Sequence, residues 1–250
     1  MKVCTDACIF GAWYAQRIQH AQTVLDIGSG TGLLMMMLAQ QSAADIHGIE
    51  IEDGCYQQLQ QNISGHHWSG RMKIFHGDVR VYKFPVKYDF IISNPPFYDR
   101  DLSSANNGRQ LAMHSSALKL DELATAISDN LTATGSAGIL LPAHRAEAFD
   151  QAATKVGLTP SGRLFIRHTA EHSWFRTITT YVRSNAQGER GTANLLHHHF
   201  TRETPEASEA QEQTKASVAA RVILHDELTI RDTDGTYTDK FMSLLCDYYL

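Results

Sequence analysis

The sequence predicts an α/β fold: a Rossmann-like, mostly parallel sheet covered by helices on both faces, with an antiparallel hairpin toward the C-terminus. Three observations carry this expectation. Apolar runs that read as buried strands alternate with helical stretches along residues 23–156, the pattern of βαβ units. A glycine-rich loop, Gly28-Ser29-Gly30-Thr31-Gly32, follows the first run and precedes a helix. The residues with chemical potential cluster after positions 27, 50 and 92. These are strand carboxyl ends, where open parallel sheets bind ligands.

Taken in order, residues 23–27 (Thr-Val-Leu-Asp-Ile) form a buried parallel strand, and 33–41, rich in Leu and Met, a helix. A strand over 45–50 is followed by a helix over 53–63 with Gln on one face. A short strand at 72–75 ends in His76-Gly77-Asp78, and a fourth at 87–92 ends in an Asn-Pro-Pro turn. Residues 99–117 are polar and loop-like. A helix over 121–131 leads to a strand at 136–141 stopped by Pro142, then a helix over 147–156 ending at Gly157. Residues 164–167 and 175–183 read as the antiparallel pair. Residues 185–217 are rich in Ala, Glu, Gln, Ser and Thr and poor in large apolar groups after Phe200, so a flexible excursion is expected there. His197-His198-His199 lies within it and reads as solvated loop, because a contiguous triplet rarely converges on a metal. A pattern returns at 227–231, turns at Asp234-Gly235 and closes with 241–250. The expectation is one domain over 1–250 with an insertion at about 185–220.

At 250 residues and 43% apolar content, the chain can bury a sizeable core. A net charge of −5 and a pI near 6.2 argue against a wholly basic nucleic-acid binder and leave room for a local basic face. Cys4, Cys8, Cys55 and Cys246 form no CxxC pair and read as reduced thiols of a cytoplasmic protein. Asp6 interrupts any secretory h-region, and no apolar run is long enough for a membrane span. No metal is expected, and a monomer is favoured.

Glycine permits positive φ and close backbone approach to a ligand, and the helix that follows offers unpaired N–H groups. Glu50, ending the second strand, can accept hydrogen bonds from ribose hydroxyls. A dinucleotide site would also use these parts, but its fingerprint is G-x-G-x-x-G. Here the loop is G-x-G-x-G preceded by Asp26, which suits S-adenosyl-L-methionine, a ligand with no pyrophosphate. Asp78 is placed to meet an adenine amino group. Asp26 also reads as a residue that orients the loop.

Ser93-Asn94-Pro95-Pro96-Phe97-Tyr98 carries the chemistry. A conjugated exocyclic amine shares its lone pair with a π-system and attacks a sulfonium methyl poorly. Two acceptors on its N–H bonds localise that lone pair. Asn94 Oδ1 can be one and the Pro95 carbonyl the other, while proline keeps the turn rigid. Phe97 can stack on the target ring. Preorganised acceptors and proximity supply the catalysis.

The opening Lys2-Val3-Cys4-Thr5-Asp6-Ala7-Cys8-Ile9-Phe10-Gly11-Ala12-Trp13 resembles the K-V-x-T-D-x-x-x-x-G-A-W segment of the bacterial tRNA1(Val) adenine-N6 methyltransferases. The glycine loop, Glu50, Asp78 and Asn94-Pro95-Pro96-Phe97 match that family in order. So does the tail from Ile230-Arg231-Asp232 to Asp247-Tyr248-Tyr249-Leu250. The resemblance implies a class I methyltransferase fold and N6-methylation of adenine 37, just 3′ of the anticodon of tRNA1(Val). It implies cofactor binding by Thr5, Asp6, Asp26, Gly28, Gly30, Gly32, Glu50, Ile51, Asp78, Val79 and Asn94. Catalysis falls to Asn94, Pro95, Pro96 and Phe97. Two departures stand out: the family's segment ahead of Lys-Val-x-Thr-Asp has no counterpart, which weakens the expected grip on tRNA, and residues 185–220 are unlike it. Arg163, Arg167, His168, Arg176 and Arg183 on the hairpin, with Arg100 and Arg109, are candidate RNA contacts, while Trp174 and Phe175 read as core. The rival readings are a guanine-N2 rRNA methyltransferase, a protein glutamine-N5 methyltransferase and a non-catalytic cofactor- or RNA-binding module.

Overall fold

A computed structural model describes residues 4–96, 118–184 and 223–248 of the chain. Phe97, Tyr98, Arg100, Arg109, the histidine triplet and the expected excursion at 185–220 lie outside these residues.

The described strands form one eight-stranded sheet. In chain order they are β1 (Thr23–Ile27), β2 (Asp45–Glu50), β3 (Met72–His76), β4 (Tyr88–Ser93), β5 (Leu131–Pro142), β6 (Leu158–Arg167), β7 (Arg176–Arg183) and β8 (Leu224–Thr229). Their spatial order is β3-β2-β1-β4-β5-β7-β6-β8. Strand β7 runs antiparallel to both β5 and β6, and the other pairings are parallel. The hairpin and the mostly parallel sheet are therefore as the sequence predicts.

Helices cover both faces: α1 (Thr5–Ala15), α2 (Leu33–Gln41), α3 (Asp53–Ile63), α4 (Leu120–Asn130), α5 (Ala146–Lys155) and α6 (Asp239–Leu245). Alternate strand residues feed two cores. Val24, Ile46, Phe90, Ile92 and Leu140 pack with α1, α2 and α6. Leu25, Ile27, Ile91, Ile139 and Leu141 pack with α4 and α5. Burial on both faces explains why these strands read as continuous apolar runs rather than as alternating ones.

Of the elements that differ from expectation, three have a clear physical reason. Helix α1 has no counterpart in the sequence reading. Its residues from Ala7 to Ala15 are all buried, and a helix enclosed on every side shows no polar stripe to reveal its period. Strand β6 begins at Leu158, not 164. The Pro160-Ser161-Gly162 stretch looks like a break but is absorbed by a register shift against β7 between Pro160 and Gly162. Strand β5 begins at Leu131, directly after α4, with a register irregularity on β4 between Tyr88 and Phe90. Among the described residues, no helix is long and apolar enough to cross a membrane.

Helix α1 lies close against the sheet at Gly138 on β5. A Cβ there would lie 2.3 Å from the Tyr14 ring. Tyr14 is held in place by a 2.8 Å hydrogen bond between its hydroxyl and Thr180 Oγ1 on β7. Gly138→Ala is expected to destabilise the fold by about 1–3 kcal/mol. Gly70→Ala is the control, since a Cβ there meets nothing within 4 Å. Urea denaturation of the two variants should separate them by that amount.

Candidate active site

Strand register fixes the site. Ile27 of β1 is paired with Ile49 of β2 and with Ser93 of β4. Gly28, Glu50 and Asn94 therefore leave three neighbouring strands at one level, on the carboxyl edge. Adjacent strands lie about 4.8 Å apart, so the glycine loop is flanked by Glu50 on one side and Asn94 on the other. Ser93 Oγ donates to the Ile27 carbonyl at 2.8 Å, fastening the end of β4 to the end of β1. Asn94 is partly exposed, Pro95 buried and Pro96 exposed.

Gly28, Gly30 and Gly32 have φ of 74°, 55° and 90°, all left-handed, where side chains with a Cβ are strained. A Cβ on Gly28 would meet nothing within 4 Å, so space stands open beside this turn. Gly32 has a second reason to be glycine: a Cβ there would lie 2.4 Å from Leu59 Cδ1 of α3. Helix packing therefore also favours glycine here.

Three backbone N–H groups hold Glu50. Gly30 N donates to Oε2 at 2.8 Å, and Ile51 N and Glu52 N both donate to Oε1 at 2.9 Å. The carboxylate thus ties the glycine loop to the start of the next turn. A carboxylate has about four acceptor sites, so one on Oε2 stays available to a ligand hydroxyl. Ile51 follows, 52% exposed. Val79 is buried. Asp78 lies two residues beyond the end of β3, not on its last residue as the sequence suggests. Arg80 grips it through Nε at 2.9 Å and Nη2 at 2.6 Å. Those hydrogen bonds hold the Asp78 carboxyl below the usual range.

Asp26 is the least comfortable residue. It is fully buried, and neither carboxylate oxygen has a hydrogen-bond partner among the described residues. Burial, and then the nearby charge of Glu50, push its pKa up to about 8. A buried carboxylate without partners is costly. A ligand that brings a cation or donors would relieve it.

Thr5 and Asp6 open α1, and Thr5 is exposed. Asp6 accepts a 2.8 Å hydrogen bond from Arg176 Nε and one of 3.0 Å from Ala7 N. Arg176 starts β7 opposite Pro142, the last residue of β5. The pair therefore anchors α1 to the same carboxyl edge. Burial alone would raise the Asp6 pKa, but hydrogen bonds from Cys4 and Arg176 bring the net shift below the ordinary value.

The basic hairpin separates into two groups. Arg163 is engaged by Asp150 at 2.7 Å and by Thr179, and Arg183 by the carbonyls of Ser128, Leu131 and Thr132. Both are structural braces. Arg167, His168 and Arg176 lie at the carboxyl edge. Arg167 stacks 4.4 Å over Trp174, and His168 stacks 4.2 Å from Phe175. Phe175 packs partly against the core, as expected, while Trp174 lies under a guanidinium nearer the rim. Sequence reading missed Arg80 and the Ser93 fastening. The only available signals were an arginine two residues after a candidate ligand and a serine ahead of Asn-Pro-Pro. Among the described residues, no cluster of His, Cys, Asp or Glu is arranged to hold a metal.

Fold and site together define a class I methyltransferase. The Methyltransferase small domain family matches residues 13–122. Solved structures at low identity share the fold. One is a predicted O-methyltransferase from Agrobacterium tumefaciens, with TM-score 0.59 and 13% identity, covering 93% of this chain and 94% of that one. Another is a putative RNA methyltransferase from Pyrococcus horikoshii, with TM-score 0.51 and 18% identity, covering 72% and 83%. Curated relatives are more specific. A tRNA1(Val) (adenine(37)-N6)-methyltransferase of Dyadobacter fermentans is 32% identical over 252 residues, covering 100% of this chain and 91% of the relative. That of Proteus mirabilis is 30% identical, covering 100% and 88%. The chain belongs to the tRNA1(Val) (adenine(37)-N6)-methyltransferase family.

Asp26 makes the ligand-free protein sensitive to pH. Its folded-state pKa of about 8 lies above the ordinary value of about 3.9. The protonated form is the one favoured by folding, so its contribution is full below about pH 4 and is lost as pH rises toward 8. Asp26→Asn should flatten that decline, and above pH 7 the variant should have the higher urea midpoint. Equal pH profiles for the two proteins would contradict this account of Asp26.

Proposed function

We propose that this protein methylates N6 of adenine 37 in tRNA1(Val), using S-adenosyl-L-methionine. The observation that carries the reading is the shared level of Gly28, Glu50 and Asn94 on one sheet edge, set by the β1 pairings. It puts an acceptor-bearing Asn-Pro-Pro turn beside a loop with open space and an unpartnered buried carboxylate. The family relatives, named for this reaction on tRNA, supply the substrate.

The residues present fit the cofactor. Asp26 would answer its ammonium group, Glu50 its ribose hydroxyls and Asp78 the amino group of its adenine. Exposed Ile51 and buried Val79 would give apolar contact to the base, and Gly28 and Gly30 would let backbone approach closely. Thr5 and Asp6 would border the pocket from the start of α1. When bound, S-adenosyl-L-methionine supplies an electrophilic methyl on a sulfonium.

The protein's own part is to hold the target nitrogen. Asn94 Oδ1 and the Pro95 carbonyl accept from the two N–H bonds of the amine, drawing its lone pair out of conjugation. Pro95 and Pro96 keep the turn rigid, since each fixes φ. The Ser93 hydrogen bond to Ile27 fixes where the turn begins. Phe97 would stack on the target base. An anticodon-loop base is unpaired, so presenting it costs little.

Nucleoside mass spectrometry of tRNA incubated with the protein and S-adenosyl-L-methionine should reveal N6-methyladenosine. N2-methylguanosine in its place would overturn the assignment in favour of a guanine-N2 enzyme, and methylated glutamine in protein substrates would favour the third chemistry. Asn94→Ala should lower the rate on the order of 10²–10³-fold, the usual cost of losing one preorganised hydrogen-bonding group. Binding of S-adenosyl-L-homocysteine, read by calorimetry, should weaken by a smaller factor, since Asn94 is one of several residues expected to border the cofactor.

A further inference from the structure

Arg80 lies outside every expected site set, yet it is built into the site's edge. Its guanidinium meets the Asp78 carboxylate through Nε, 2.9 Å from each oxygen, and through Nη2, 2.6 Å from Oδ2. Its backbone N–H adds a third donor, 2.9 Å from Oδ1. The loop closes on itself around this contact, because Val81 N and Tyr82 N both donate to the Asp78 carbonyl. On its far side Arg80 Nη1 is 3.5 Å from Glu122 Oε2. That same oxygen accepts the Lys119 N–H at 2.9 Å, capping α4. Asp78 is thus connected through one planar group to the start of a helix.

A carboxylate on a loop ordinarily rotates about its side-chain torsions. A planar fork holding both oxygens removes that freedom, and arginine does this where lysine, a point charge, does not. We propose that Arg80 is a positioning residue that fixes the Asp78 carboxylate for recognition of the 6-amino group of the cofactor's adenine. This rests on the reading of Asp78 as the acceptor for that amino group. Arg80 itself touches no reacting atom. Its effect is on which nucleoside the pocket prefers.

The test uses two ligands: S-adenosyl-L-homocysteine and its analogue with hydrogen in place of the 6-amino group. A site built to bond an N–H loses affinity for an analogue lacking it. Wild type should therefore prefer the adenosyl compound by roughly tenfold or more, which corresponds to about 1.4 kcal/mol. Arg80→Ala should reduce that preference to about threefold or less by weakening the adenosyl ligand, with the analogue nearly unchanged. In methyl transfer, KM for S-adenosyl-L-methionine should rise more than kcat falls. Arg80→Lys, which keeps charge without the fork, should fall between the two. Thermal midpoints of both variants establish that they fold.

Other outcomes overturn the proposal and differ from one another. If Arg80→Ala folds and keeps the full preference, or weakens both ligands equally, Arg80 only braces the loop. If wild type shows no preference, or Asp78→Ala keeps it, Asp78 does not read the amino group and the assignment of that residue fails first. If wild type binds neither ligand and transfers no methyl group, the proposed function itself fails.

Discussion

The parallel pairing of β1 with β2 on one side and β4 on the other is the constraint on which the rest depends. A parallel register slipped by one residue would turn every side chain of the strand to the other face. Here it would carry Val24 out of the core formed with α1 and α2, and Leu25 and Ile27 out of the core formed with α4 and α5. Burial on both faces therefore locks the register. The same lock sets Gly28, Glu50 and Asn94 at one level. Core packing and site geometry are one requirement here, because the strands that carry the first end in the second.

The site holds what the core would not tolerate. Two carboxylates, Asp26 and Glu50, are buried close enough for the charge of one to raise the pKa of the other. Glu50 is satisfied by three backbone donors, which also shape the glycine loop. Asp26 has none among the described residues. Such local inconsistency is where sequence, fold and stability part company at functional sites. An apolar residue of similar size at position 26 would pack without this cost, and the loop would then lack its buried carboxyl group.

Much of this was legible in the residues, and the rest was hidden for definite reasons. The parallel strands announced themselves because burial on two faces gives apolar runs on both faces of a strand, as in Phe90-Ile91-Ile92. The glycine loop and the Asn-Pro-Pro turn were visible because their backbone needs select a few residue types. Helix α1 escaped because complete burial erases its amphipathic signal. The start of β6 escaped because Pro160 and Gly162 look like breakers until a bulge accommodates them. The hairpin arginines could not be sorted by sequence: only the fold reveals that Arg163 meets Asp150 while Arg167 lies at the rim beside Trp174. Gly32 looked like a ligand residue, and its contact with Leu59 is a long-range fact that no local pattern encodes.

The carboxylates along the carboxyl edge are best understood by what each is already bonded to. Asp6 is taken by Arg176 and by its neighbour's N–H, so its main work is to hold α1 against β7. Asp78 is gripped by Arg80, which fixes its direction without burying it. Glu50 gives three acceptor sites to backbone and keeps one. Asp26 keeps all of its sites and lies deepest. Charge alone would treat these four groups as equivalent. Their partners make them different: the fewer internal donors a carboxylate has, the more of its interaction is reserved for a ligand, and the more its burial costs in that ligand's absence. By this measure Asp26, with no donor among the described residues, is the group left most open to a ligand, while Asp6, Asp78 and Glu50 are each held by two or more internal donors.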